Sequence, residues 1–126
     1  MEQISLIGTP KTPSIKFDAK LGLVEIKGRS IPENSIEFYN PLIDWLDRYA
    51  KNPQDETNVN IQLEYFNTSS SKCILDVFKK LESIFNNGKS VCINWHYEED
   101  DEDMLEAGDD YQSIIKIPFK MIEIEI

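Results

Sequence analysis

Between Asn58 and Tyr97 the chain changes its hydrophobic period twice, and that change narrows the possible folds more than any other feature. The run NVNIQLEYFN (58–67) alternates strictly. Val59, Ile61, Leu63 and Tyr65 take one face and Asn60, Gln62, Glu64 and Phe66 the other, the pattern of a strand. From Ser70 to Phe85 the spacing becomes helical: Ile74, Phe78, Leu81 and Phe85 form a stripe with Leu75 and Val77 beside it, and Asn87-Gly88 ends it. SVCINWHY (90–97) is a strand again, apolar enough for a sheet interior. Strand, helix and strand with short connections require a right-handed crossover between parallel strands.

The flanking segments extend this unit. SIKFDA (14–19) and LGLVEIKG (21–28) alternate around a turn, with Ile15 and Phe17 sharing one face and Val24 and Ile26 another. They read as an antiparallel hairpin. In the following segment Ile36, Tyr39, Ile43, Leu46 and Ala50 make a helix stripe, widened by Leu42, Trp45 and Tyr49. Pro41 inside it either kinks the helix or sits at the first position of a new one capped by Asn40; the unbroken stripe favours the kink. A helix over about 102–114 seats Met104, Leu105, Tyr111 and Ile114 on the core, and IIKIPFKMIEIEI (114–126) is a last strand, placed at an edge or bulge by Pro118. The expectation is one α/β domain over residues 1–126: a mixed sheet with an N-terminal antiparallel hairpin, parallel core strands and about three packed helices.

Charge removes several function classes. A net charge of −10 over 126 residues repels phosphate backbones and anionic lipid, so neither nucleic acid nor membrane is an expected partner. No window has the length of a membrane span, and MEQISLIGTPKTP lacks a cationic start before a long apolar stretch, which points to the cytoplasm. Without a secretion signal, the glycosylation triplet Asn67-Thr68-Ser69 is idle. Cys73 and Cys92 lie in apolar segments and read as buried, reduced thiols. In EEDDEDMLEAGDD (98–110), Gly108 is misplaced for a calcium loop and the following bidentate Glu is absent. That run is a solvated, partner-facing patch, and no metal or cofactor is expected.

Chemistry concentrates at NTSSSK (67–72). Four consecutive hydroxyls, Thr68, Ser69, Ser70 and Ser71, lie where a parallel strand ends and a helix begins. Open α/β sheets place functional groups at that edge, where unpaired helix N–H groups favour an anion. Capping alone explains a Ser or Thr there, but four hydroxyls exceed the needs of one cap. The run lacks the glycines of a phosphate-cradling loop and the elbow of an acyl-transfer nucleophile. The only histidine, His96, stands near the end of the neighbouring strand as the sole available base, so no catalytic residue is assigned.

At GRSIPENS (28–35), NTSSSK (67–72) and WHYE (95–98) the sequence resembles the SiaC family of STAS-like phosphoproteins that regulate biofilm formation. The resemblance runs from GTPKTPSI to the final strand, and PENS and NTSS at this separation are its specific part. It implies a STAS-like mixed sheet and a non-enzymatic switch. A partner serine/threonine kinase phosphorylates the threonine after the motif asparagine, and a PPM-type phosphatase removes the phosphate. The unphosphorylated form binds and activates a diguanylate cyclase, which makes cyclic di-GMP. The matching residue is Thr68, with Ser69 and Ser70 as alternatives and Ser71 as an extra hydroxyl. The implied partner-binding positions are Ser30, Pro32, Glu33, Asn34, Asn67, Ser69 and Lys72. A STAS-type anti-sigma-factor antagonist in a partner-switching cascade is the alternative output.

Overall fold

The computed structural model describes residues 1–125. Six strands, β1 (Ile4–Leu6), β2 (Ser14–Asp18), β3 (Leu23–Ser30), β4 (Glu56–Phe66), β5 (Ser90–Glu98) and β6 (Phe119–Ile124), form one sheet in chain order. Three helices, α1 (Ser35–Tyr49), α2 (Thr68–Asn86) and α3 (Glu102–Ile114), alternate with the last four strands. β1, β2 and β3 pair antiparallel, whereas β3 to β6 pair parallel. The mixed α/β sheet and its three helices are those expected, with β1 an additional short strand that the sequence does not announce. Ile15 pairs with Ile26 and Phe17 with Val24, so the four share one buried face rather than two.

Each crossover steps one strand in the same direction, so right-handed connections lay all three helices on one face. The core lies there: Ile26, Ile61, Ile93 and Trp95 from the strands meet Tyr39, Leu46, Ile74 and Phe78 from the helices. Among the described residues no helix covers the other face. β5 lies inside the sheet between β4 and β6, as its apolar run suggests, but only one of its faces is buried: Val91, Ile93 and Trp95 are buried, while Cys92, Asn94 and His96 are half-buried. Cys92 is therefore not a core thiol as expected, whereas Cys73 is. The uncovered face carries a polar ladder in which Asn94 donates to Asn60 (2.9 Å) and Asn60 to Glu25 (3.2 Å).

Three further readings change for physical reasons. α1 runs unbroken from Ser35 through Pro41 with its cap at Asn34, as the stripe favoured over a new start at Asn40, but its buried face is not the expected stripe. Its buried face is Tyr39, Leu42, Trp45, Leu46 and Tyr49; Ile36 lies outside, and Ile43 and Ala50 at the margin. Likewise α2 begins at Thr68 rather than Ser70 and buries Cys73, Val77 and Ile84 with its stripe, leaving Phe85 half-buried. The third concerns the C-terminal run. Ile114 closes α3 and is exposed, and β6 begins only after Pro118, at the sheet edge as expected. Ile126, the end of that run, lies outside the described residues.

Gly108 shows how tightly α3 is seated. A Cβ there would lie 2.6 Å from Trp95 Cδ1 and 2.7 Å from its Nε1. The indole cannot retreat easily, because it is fully buried and its Nε1 donates to the Met104 carbonyl (3.0 Å). Alanine in place of a helical glycine normally gains about 1 kcal/mol, but overpacking a filled core costs about 1–3 kcal/mol. Gly108→Ala is therefore expected to lower stability by about 1 kcal/mol in urea denaturation, a sign opposite to helix propensity.

Candidate functional site

The β3, β4 and β5 strands finish at the same edge, and there the start of α1 meets the start of α2. Asn34 accepts from Glu37 N (3.1 Å) and Asn67 from Ser70 N (2.8 Å), so each helix is capped by the asparagine of one motif. The backbone joins the motifs as well: Asn67 N donates to the Ser30 carbonyl (3.0 Å). The separation of PENS and NTSS in sequence is the length of α1 and β4 between two adjacent helix starts.

A chain of hydroxyls runs between them. Ser30 Oγ donates to Ser70 Oγ (2.9 Å), and Ser70 Oγ donates to the Ser30 carbonyl (3.1 Å). With the Ser30 proton so committed, Tyr39 Oη must donate to Ser30 Oγ (2.6 Å). Burial pushes the Tyr39 phenol up to about 12, so it keeps that proton. Ser35 Oγ lies 2.7 Å from Ser69 Oγ and 3.3 Å from Ser70 Oγ. Ser69 Oγ in turn donates to Asn67 Oδ1 (3.2 Å). Ser30, Ser35 and Ser70 are buried, and no buried side-chain polar atom among the described residues lacks a partner.

The four hydroxyls of the run thus have four environments. Ser70 is enclosed, and Ser69 is tied to Ser35 and Asn67. Tyr111 Oη donates to the Ser71 carbonyl (2.8 Å) and lies 3.2 Å from Ser71 Oγ. Burial also pushes the Tyr111 phenol up to about 12. Thr68, the first residue of α2, is exposed, and among the described residues its hydroxyl has no hydrogen-bond partner.

The other motif positions divide. Ser30 and Pro32 are buried and present no surface in this conformation. Glu33, Asn34, Ser69 and Lys72 are exposed, and Asn67 half-buried. Glu33 and Lys11 approach to 3.9 Å with both side chains in solvent, a contact of little energetic weight. Lys72 stands one turn after Thr68, on the same side of α2.

His96 does not join this site. It alternates with buried Trp95 and so faces the uncovered side of the sheet, away from α2. Burial holds its imidazole below the usual range, aided by Lys27 and opposed by Glu25. No group of ligating side chains among the described residues is arranged to hold a metal, and no described helix is long and apolar enough to cross a membrane. The sequence did not reveal Ser35 and Tyr39 as members of the site; the available signal was a serine closing one motif beside a run of serines in the other.

Comparison with known proteins gives the family and the fold. The model of a family described as SiaC family regulatory phosphoprotein matches residues 6–124. An uncharacterized protein of Pseudomonas aeruginosa strain UCBPP-PA14 is 33% identical over 119 residues, covering 94% of each chain. The solved structure of SiaC of Pseudomonas aeruginosa superposes with a TM-score of 0.90 at 31% identity, covering 98% of this chain and 100% of that one. A crystal structure of the diguanylate cyclase SiaD in complex with its activator SiaC, from the same organism, contains a chain matching at TM-score 0.90 and 31% identity, over 96% of this chain and 99% of that one.

Proposed function

Since the chain belongs to the SiaC family of regulatory phosphoproteins, we propose that it is a phosphorylation-switched activator of a diguanylate cyclase. In this reading it acts in the cytoplasm as a single non-enzymatic domain. Unphosphorylated, it binds the cyclase and raises synthesis of cyclic di-GMP, and through it biofilm formation. A partner serine/threonine kinase phosphorylates Thr68, and a PPM-type phosphatase restores the hydroxyl. Glu33, Asn34, Asn67, Ser69 and Lys72 rim the surface that these partners read.

The observation that carries this reading is the isolation of the Thr68 hydroxyl. Its three neighbours are engaged within the fold, whereas Thr68 is exposed and unengaged at the start of α2. A phosphate there is favoured by the helix N-terminus and by Lys72 one turn on. The solved complex of a SiaC with the cyclase it activates supports the choice of partner.

Two measurements test it. The purified chain, mixed in turn with each diguanylate cyclase of its host, is expected to raise cyclic di-GMP synthesis by one of them. After incubation with the cognate kinase and ATP, mass spectrometry is expected to find phosphate on Thr68. Phosphate on Ser70 or Ser71 with Thr68 unmodified would overturn the assignment, and activation of no cyclase would overturn the output.

A further inference from the structure

Two large apolar side chains that the hydrophobic pattern assigns to the core are held outside it, at the strand-end edge that carries Thr68. Ile36 is 66% exposed and Tyr65 is 52% exposed. Ile36 stands out because α1 turns Tyr39, Leu42, Leu46 and Tyr49 to the sheet. Tyr65 stands out because β4 carries one extra residue. Gly28 pairs with Leu63 but Arg29 pairs with Tyr65, which leaves Glu64 unpaired and reverses the alternation beyond it. Phe66 turns inward in its place, packing edge-on to Trp95. Gly28 meets this shift with a φ of 113°, a conformation other residues rarely adopt.

Single exposed apolar residues are ordinary on a protein surface. These two differ in position. Ile36 follows Ser35, whose hydroxyl touches Ser69 beside Thr68, and Tyr65 lies three residues before Thr68 where β4 ends. Tyr65 is also steadied by Arg29, whose guanidinium carbon lies 6.0 Å from the ring centre. An exposed aromatic backed by an arginine is the composition of an interface anchor.

Taking the proposed function as its basis, we infer that Ile36 and Tyr65 are the apolar anchors by which the unphosphorylated chain grips its cyclase. The occupant is a protein segment offering apolar side chains with a basic rim. On the β5 side the same edge descends into a cleft of ≈ 220 Å³ shared by Glu64, Tyr97, Glu98 and Asp101, which suits cationic side chains. The net charge of −10 disfavours a second copy of this chain, a nucleic acid or an anionic bilayer on that surface. A phosphate on Thr68 would put its charge on the same strand-end edge from which both anchors project, so the modification opposes the contact they make.

The test uses the cyclase that the wild-type chain activates. Affinity is measured for wild type, for the double variant Ile36→Ala/Tyr65→Ala, and for Leu21→Ala, an equally exposed apolar site in the β2–β3 turn at the other end of the sheet. The double variant is expected to bind more than tenfold more weakly, with its melting temperature and its phosphorylation at Thr68 unchanged. Leu21→Ala is expected to bind like wild type. A double variant that binds within threefold of wild type would overturn the anchors and leave the proposed function intact, as would an equal loss in Leu21→Ala. A wild-type chain that binds no cyclase would overturn the proposed function and this inference together.

Discussion

The chain phosphorylated on Thr68 is expected to bind its cyclase about a hundredfold or more weakly than the unmodified chain, while melting at nearly the same temperature. Phosphate brings a charge of about −1.5 to −2 at neutral pH. Within the free chain this charge is tolerable. Thr68 is exposed, and the start of α2 favours an anion by about 0.3–1 kcal/mol, enough to offset part of the repulsion from a chain already at −10. Within an interface it is not tolerable, because an uncompensated charge stripped of water costs about 2–5 kcal/mol. The modification therefore changes the surface rather than the fold. Thr68→Ala should bind normally and resist the kinase, and Thr68→Asp should fall between, since one charge on a shorter side chain imitates phosphate incompletely. Calorimetric titration of the cyclase with the three forms checks this. Tighter binding by the phosphorylated chain would mean that the partner supplies a basic phosphate pocket, and the repulsion argument would be wrong.

Ser70→Val is expected to cost about 2–4 kcal/mol of folding free energy, although its neighbour Thr68 tolerates the same replacement. Valine removes the acceptor for the Ser30 hydroxyl and the donor to the Ser30 carbonyl in a fully buried position. It also leaves Ser35 with one neighbour where it had two. The carbonyl keeps its bond from Asn67 N, so the loss is partial rather than total. Thr68→Val has no such bond to lose and should shift the urea midpoint hardly at all. If Ser70→Val changes stability by less than about 0.5 kcal/mol, the usual range of a neutral surface substitution, the hydroxyl chain does not hold the two helix starts together.

How much of this was legible beforehand follows from which forces are local. Val59, Ile61 and Leu63 announced β4 because alternation is a property of consecutive residues. Tyr65 broke the rule because the extra residue at Glu64 is set by the partner strand, which no period in β4 encodes. Ile36 failed similarly: a helical stripe fixes an axis of burial only to within one residue row, and packing against α2 and the sheet chose Leu42 and Tyr49 over Ile36 and Ile43. At the candidate site, the caps Asn34 and Asn67 lie in the two motifs that carried the resemblance. The Tyr39–Ser30–Ser70 links were hidden because they join residues 9 and 40 positions apart, and the hydroxyl count alone does not say which are spoken for.

Strand order in this sheet is also chain order. No strand has to be threaded between two that are already paired, as the central strand of a doubly wound sheet must be. Each new strand meets, at the growing edge, a neighbour that left the ribosome before it. Assembly of the sheet can therefore follow synthesis from one side to the other, and the sheet closes with β6 still open along its outer edge.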